Sequence, residues 1–464
     1  MRILSQPLPK AMAIVLVLRL ALPLVAWLLN PNNPEIFHST SDDSLSYIRP
    51  ATVLGTQGRF VDPLDGSPEL FRTPGLPVLL LPGVWLGNVE LWMTILNIAC
   101  ACLTAYLIYQ IAMMVFKSSK IAGLCAILYA FEPVSALYAT KVLTENPFAT
   151  VFTLFLYYFI RYIDSKKLSD ILLASLSLAA ATYIRPISYY LPLLIGLGMA
   201  AWVVWQEVDK KRLLLHAGAF FFTAMSLIGV WHVYNLRAAN YPGFSAINAI
   251  NAYYWLMPAV QAAKEGVTFD QVQDRMNATD PKAACFRYPE RRLCDKTQMF
   301  KDMEKEAGRY LRANWLTYAR IHVVGMVRTI FGPAVSDFQG LLGMPFDLSQ
   351  LNCPTFQDGL IKPLTCILTT QPGLFVVYVV MGLGTGVYVV LTALGFWARP
   401  PIAPLPMFTF ISLMAYFVVV SGGPIGQGRY RHPLMPIACI IAGYGLDVVM
   451  DWWQRSKSQA RQAE

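Results

Sequence analysis

Residues 39–77 read STSDDSLSYIRPATVLGTQGRFVDPLDGSPELFRTPGLP, and the rest of the chain is organised around them. This polar stretch follows an apolar run, Ala11–Leu29, that is long enough to cross a bilayer. It opens on two adjacent acids, Asp42 and Asp43, with Tyr47 one helical turn further on. Arg49, Arg59 and Arg72 follow, and a Pro-Gly-Leu-Pro turn closes it. Most of what lies beyond is apolar segments of spanning length. The reading is that the spans are scaffold and this loop carries chemistry.

Composition supports that division. The 464 residues are 56% hydrophobic and only 14% charged, against about 25% charged in a soluble domain. Candidate spans are Ala11–Leu29, Trp92–Phe116, Ile121–Thr140, Pro147–Ile163, Ile171–Ile184, Ile187–Trp205, Leu213–Tyr234, Gly373–Trp397, Pro404–Ser421 and Pro433–Trp452. The fold class is therefore an all-α polytopic membrane protein with about ten transmembrane helices. Ala11–Leu29 is read as an uncleaved span, since it is long for a signal segment and no small-residue cleavage site follows. Val78–Leu86 is too short to cross and reads as a re-entrant or juxtamembrane helix.

The net charge of +9 does not by itself imply nucleic acid, and no nucleic-acid partner is expected. Much of the positive charge sits in short loops: Lys117 and Lys120, Arg161 to Lys167, Lys210 to Arg212, Arg399, and the tail with Arg455, Lys457 and Arg461. The positive-inside rule makes those loops cytoplasmic. The Asp42–Asp43 loop, the turns at Lys141–Glu145 and Arg185, the long segment 235–372 and the loop 422–432 then share the external face. Three regions follow: 1–234, a transmembrane module whose first external loop (30–91) carries the chemistry; 235–372, an extracytoplasmic segment; and 373–464, the last helices and tail. Within the outer segment, Phe300–Arg312 reads as a charged surface helix and 314–331 as an interfacial amphipathic one. Cys285, Cys294, Cys353 and Cys366 fall in that segment, where an oxidising compartment would pair them; the local pairing 285–294 with 353–366 is expected among three alternatives. Cys100, Cys102, Cys125 and Cys439 lie in apolar spans.

Each polar motif has two readings. Asp42 and Asp43 suit a general base beside the membrane, while Ser41 or Asp42 would equally cap a helix starting near Ser44. Glu145 in KVLTENP could hold an acceptor or a metal, or pair with Lys141 at i,i+4. Arg185, Arg237, Arg429 and Arg431 stand at span ends. Singly they fit snorkelling; as a convergent set they fit an anionic lipid head group. A metal site of His38, Asp42 and Asp43 lacks a ligand spacing. No nucleotide-binding loop, dinucleotide fingerprint or serine-hydrolase elbow occurs.

Together these residues resemble the polytopic GT-C glycosyltransferases, especially bacterial relatives of protein O-mannosyltransferases and of the aminoarabinose transferase that modifies lipid A. Asp43-Ser-Leu-Ser-Tyr47 is similar to the family's acid-x-x-x-Tyr after the first span. Arg72-Thr-Pro74-Gly75-Leu76-Pro77 resembles its Arg-x-Pro-Gly-Tyr-Pro, with Leu for Tyr. Thr144-Glu145, Arg185-Pro186 and Arg429-Tyr430-Arg431 with Pro433 and Pro436 resemble later motifs in order. Around Arg237 the order Asn235-Leu236-Arg237 departs from the family's Arg-Asn, which blurs that residue's role.

The resemblance implies inverting transfer of a sugar from a polyprenyl-phosphate-linked donor to a glycan, lipid or protein acceptor at the outer face of a bacterial inner membrane. It implies Asp43 as catalytic acid-base residue with Asp42 as helper. Tyr47, Arg72, Lys141, Glu145, Arg185, Arg237, Arg429 and Arg431 would bind substrate. It requires no cofactor and leaves a divalent metal open. A leaving phosphate needs cations rather than a general acid, so one carboxylate with arginines suffices, unlike the two-carboxylate glycosidases. Competing readings are a lipid-linked sugar transporter or flippase, an O-antigen polymerase or ligase-like protein, and a non-catalytic membrane subunit. The first would want polar residues inside the spans, and these look largely apolar.

Overall fold

The computed structural model describes residues 7–39, 43–204, 209–287, 295–341 and 361–463. Among them the regular elements are all helices, joined by irregular loops, with one isolated antiparallel bridge, Val61 with Pro68. It is an all-α polytopic membrane protein. Among the described residues six helices are long and apolar enough to cross a membrane: Pro7–Leu29, Val89–Phe116, Pro186–Val204, Lys210–Ala239, Pro372–Trp397 and Gly428–Gln459. Four shorter apolar helices join them, at Gly75–Trp85, Ser119–Phe131, Leu168–Ile184 and Pro404–Val420. Leu16, Val17, Leu24, Leu215, Phe222, Val380 and Leu383 stand exposed on these helices, as side chains facing lipid do.

The N-terminal module comprises α1 (Pro7–Leu29), α2 (Asp43–Gln57), α3 (Gly75–Trp85), α4 (Val89–Phe116), α5 (Ser119–Phe131), α6 (Pro133–Tyr138), α7 (Glu145–Ser165), α8 (Leu168–Ile184), α9 (Leu191–Val204) and α10 (Lys210–Ala239). Local sequence sets the ends. The Asn88 side chain accepts from the Leu91 amide to start α4, and Lys117 and Lys166 take left-handed backbone to end α4 and α7. Phe148, Phe152, Phe155 and Phe159 run down α7 and pack with Phe220 and Phe417 into the main core.

The expected single span Ile121–Thr140 is instead broken at Glu132. Pro133 cannot continue the hydrogen-bond ladder. Glu132 turns out to cap the next helix, accepting from the Val134 and Ser135 amides at 3.2 and 2.5 Å. The carbonyls left at the end of α5 are met by Arg19, fully buried in α1, which donates to Tyr129 and Ala130 at 2.9 Å each. The expectation of nearly apolar spans is corrected here as well. Asn97, Thr104, Asn146 and Thr150 also bond between α4 and α7. Their donors are met by backbone carbonyls and by one another, whereas Arg19 Nε and the Asn97 and Asn146 Oδ1 atoms are buried without a hydrogen-bond partner among the described residues.

A unit of short helices, called the outer unit after the placement expected for it from the sequence, comprises α11 (Ile247–Ile250), a π-helical turn (Asn251–Leu256), α12 (Met257–Glu265), α13 (Phe269–Thr279), α14 (Pro281–Arg287) and α15 (Lys296–Ala313). Met299, Phe300, Met303 and Ala307 of α15 pack on Tyr241, Ile250 and Tyr253, so the expected surface helix is one wall of a small core. Then come α16 (Trp315–Phe331), α17 (Val335–Leu341), α18 (Ile361–Thr370), α19 (Pro372–Trp397), α20 (Pro404–Val420) and α21 (Met435–Ala463). Gly325 meets Gly423 and Gly426, and Gly332 meets Gly428, backbone to backbone. A side chain at Gly325 would lie 1.9 Å from the Gly423 carbonyl. Cys285 and Cys366 are each disulfide-bonded; Cys294 and Cys353, their expected partners, lie outside the described residues.

Candidate active site

Asp43 is the first residue of α2, where the helix dipole favours a carboxylate. Ser41 and Asp42 lie outside the described residues. Arg72 reaches Asp43 from the far end of the same loop. Its Nη2 donates to Asp43 Oδ1 at 2.5 Å, its Nη1 to the Tyr47 hydroxyl at 3.0 Å, and its Nε to Ser46 Oγ at 2.8 Å. The guanidinium also lies 4.3 Å from the Tyr47 ring centroid and 4.1 Å from that of Phe71. The Pro-Gly turn brings this loop tight against α8: a Cβ on Gly75 would sit 2.4 Å from the Tyr183 carbonyl oxygen, so only glycine fits.

A second arginine completes the carboxylate's shell. Arg429 Nη1 donates to Asp43 Oδ2 at 2.7 Å, while its Nε donates to Glu145 Oε1 at 2.5 Å. The same Glu145 oxygen accepts from Arg185 Nη1 at 3.0 Å. Read across the site, Arg72, Asp43, Arg429, Glu145 and Arg185 alternate in sign, three guanidiniums to two carboxylates. Glu145 is fully buried, whereas the Asp43 side chain keeps 31% exposure. One guanidinium is left in excess over the carboxylates, and Asp43 is the more exposed of the two acids, so the cluster carries a net positive charge that an anion can neutralise. Glu145 Oε2 and both His432 ring nitrogens are buried without a hydrogen-bond partner among the described residues. Such groups want a donor or acceptor from water or substrate.

Burial raises the Asp43 pKa, but the neighbouring Arg72 and Arg429 guanidiniums outweigh it and hold the carboxyl well below the usual range. Asp43 is therefore ionised at neutral pH.

The other predicted residues divide. Tyr47 is buried as the hydrogen-bond acceptor of Arg72. Lys141 does not form a surface pair with Glu145. It is buried, and its Nζ donates to the Ile36 and His38 carbonyls at 2.7 and 2.9 Å, pinning the start of the loop that leads to Asp43. Arg431 turns away from Asp43 and donates to the Gly332 carbonyl and to Thr385 Oγ1, clipping α16 to α19. Arg237 is exposed on α10 beside Val233 and Tyr234 and does not join the site. Asn235, two residues earlier, is the buried residue there and donates to the Gly243 and Phe244 carbonyls. His38 pairs with Glu90 at 2.9 Å rather than with the acids. Among the described residues no three His, Cys, Asp or Glu side chains group to hold a metal, and Arg429 occupies the bridge between the two carboxylates. His432, which the sequence places in an external loop near the site, is buried there, while Ser46 and Glu69 carry no signal in the sequence; Glu69 stands three residues before Arg72, but nothing in its type or spacing distinguishes it.

Residues 74–234 match the family model of dolichyl-phosphate-mannose-protein mannosyltransferase. Over nearly its whole length the chain superposes on the archaeal oligosaccharyltransferase AglB from Archaeoglobus fulgidus, solved with an inhibitory peptide and a dolichol-phosphate. The TM-score is 0.50 at 14% identity, covering 97% of this chain and 52% of that one. ArnT from Cupriavidus metallidurans bound to undecaprenyl phosphate matches with TM-score 0.40 at 12% identity, covering 92% and 77%. The chain thus spans about half the length of the oligosaccharyltransferase it matches. No curated protein matches its sequence. The fold is like that of the archaeal oligosaccharyltransferase.

Proposed function

We propose that this chain is an inverting GT-C glycosyltransferase that takes a sugar from a polyprenyl-phosphate-linked donor and passes it to an acceptor at the outer membrane face. The observation that carries the reading is the alternating file Arg72–Asp43–Arg429–Glu145–Arg185. It supplies one partly exposed carboxylate and a surplus of cations, which is the requirement for displacing a phosphate. The acceptor hydroxyl or amine attacks the anomeric carbon and gives its proton to Asp43. The new bond forms on the face opposite the breaking carbon–oxygen bond, and the polyprenyl phosphate leaves with both electrons of that bond toward the arginines.

Clamped between Arg72 and Arg429, Asp43 is a weak base. A donor phosphate shares the positive charge of those guanidiniums, and as it does so the carboxylate regains basicity. Glu145 is too deeply buried to be the base; it fixes Arg429 and Arg185. The donor's lipid tail lies in the bilayer, which accounts for the scaffold. The disulfide-bonded Cys285 and Cys366 fit an oxidising compartment such as the periplasm of a bacterial inner membrane.

The test compares envelope glycans and glycolipids of wild type and Asp43→Asn at matched protein abundance. The expected result is accumulation of a lipid-linked sugar and loss of that sugar from a glycan, lipid or protein. A wild-type envelope in Asp43→Asn contradicts the assignment.

A further inference from the structure

The hairpin between α2 and Arg72 carries charged groups that the mechanism does not use. Asp62 and Asp65 flank a turn whose Gly66 has positive φ, and both carboxylates receive Lys296 Nζ at 2.7 Å. Lys296 is the first residue of α15, in the outer unit. The lysine and both aspartates are largely buried, at 17%, 20% and 12% exposure. Seven residues after Asp62 comes Glu69, 8% exposed. Glu69 Oε1 accepts from the Phe71 and Arg72 amides at 2.7 and 2.8 Å. The outer unit grips the same strip again: the Ala246 amide donates to the Leu70 carbonyl at 2.8 Å, and Ser245 Oγ to the Phe71 carbonyl at 2.7 Å.

We propose that Glu69 is a positioning residue for the Arg72–Asp43 pair, and that the Lys296–Asp62–Asp65 latch makes it the end of a strut running from the outer helices to the site. The geometry leaves Arg72 little freedom of its own. Its backbone is fixed by Glu69, and its Nε and Nη1 are committed to Ser46 and Tyr47, so Nη2 is delivered to Asp43. Residues 69–72 have no repeating ladder to hold them; one carboxylate oxygen taking two successive amides does that work instead. Neither Glu69 nor Lys296 touches Asp43. Whatever moves α15, such as an acceptor seating on the outer unit, moves the hairpin and with it the cation beside the base. The functional half of this inference rests on the transferase reading; the mechanical half does not.

Two measurements separate those halves. Hydrogen exchange of the full-length protein in detergent is read on peptides from Asp43–Gln57, which carry no bond to either strut residue. Glu69→Ala and Lys296→Met are expected to speed exchange there about ten-fold, the effect of losing a well-formed buried contact. Glu69→Gln, whose amide oxygen still accepts both N–H groups, stays within about two-fold of wild type. Acceleration confined to residues 60–72, or equal acceleration by Gln and Ala, overturns the strut.

Binding of undecaprenyl phosphate to the same preparations gives the functional arm. Glu69→Ala weakens it several-fold, Arg72→Ala weakens it further, and the double variant equals Arg72→Ala, because Glu69 acts only through Arg72. Additive losses overturn the positioning role. If Arg72→Ala binds like wild type while the exchange results hold, the strut stands and it is the donor reading that fails.

Discussion

At the residue scale the decisive fact is that Arg429 serves two acids. One guanidinium holds Asp43 through Nη1 and Glu145 through Nε, and each acid also holds a second guanidinium, which leaves one positive charge in excess. Asp43 is ionised because Arg72 and Arg429 overcome its burial. A carboxyl with a lowered folded pKa contributes stability in full above its unfolded pKa, and that contribution is lost as pH falls through the folded pKa. Activity that needs ionised Asp43 follows the same sign. In wild type the kcat/KM profile is expected to show no acid limb from Asp43 at or above the ordinary aspartate value of about 3.9. Arg429→Gln removes one of the two cations, so the Asp43 pKa rises and an acid limb moves up in pH, on top of a lower plateau. A profile whose acid side stays put or moves down would show that Arg429 does not set the ionisation of the base. Asp43, Arg72, Glu145, Arg185 and Arg429 were legible in the sequence because charge at a span end is conspicuous and their order resembles a known family. Arg431 and Arg237 show the limit. Sequence says that an arginine stands at a span end; whether its side chain turns inward, sideways or out depends on packing by α16 and α10.

At the element scale the site depends on close backbone approaches. The Gly422–Gly428 loop that leads into Arg429 lies against α16 and its C-terminal end through Gly325 and Gly332. Gly325→Ala places a methyl 1.9 Å from the Gly423 carbonyl, and the loop must move away. Overpacking of this kind costs roughly 1–3 kcal/mol. Gly325→Ala is therefore expected to lower the thermal midpoint in detergent and to reduce transfer, while Gly218→Ala, with open space around it, leaves both unchanged. Equal midpoints for the two variants would remove the glycine seam from the account. Helix existence was readable from apolar length. The break at Glu132 was not, because a buried acid that caps a helix looks like any loop acid until Arg19, more than a hundred residues earlier, is seen at the end of α5.

At the scale of the whole molecule the chain has one acid–arginine file set between a membrane scaffold and a small outer helical unit. Its placement makes a topological prediction. Cysteines introduced at exposed Arg275, in the outer unit, and at exposed Lys167, in a basic short turn, should differ in reach. A membrane-impermeant thiol reagent applied to intact spheroplasts should label Arg275→Cys and spare Lys167→Cys until the membrane is opened. The reverse pattern would put the site in the cytoplasm. Composition announced the membrane class at once, since charge is scarce over most of the length. The outer unit's seat on the hairpin before Arg72 could not be foreseen, because Ser245, Ala246 and Lys296 bond to residues far away in sequence.

The central claim is that Asp43, held by Arg72 and Arg429, accepts the proton as a lipid-phosphate donor gives up its sugar. The most direct measurement supplies purified protein with the lipid fraction from Asp43→Asn cells and with membranes from the same cells as acceptor. Wild-type protein should consume the accumulated lipid-linked sugar, release polyprenyl phosphate and transfer the sugar with inverted anomeric configuration. Asp43→Asn should do so at least about a hundred-fold more slowly, as expected when a general base is lost. Equal consumption by the two proteins, or release of polyprenyl phosphate without transfer, would contradict the account.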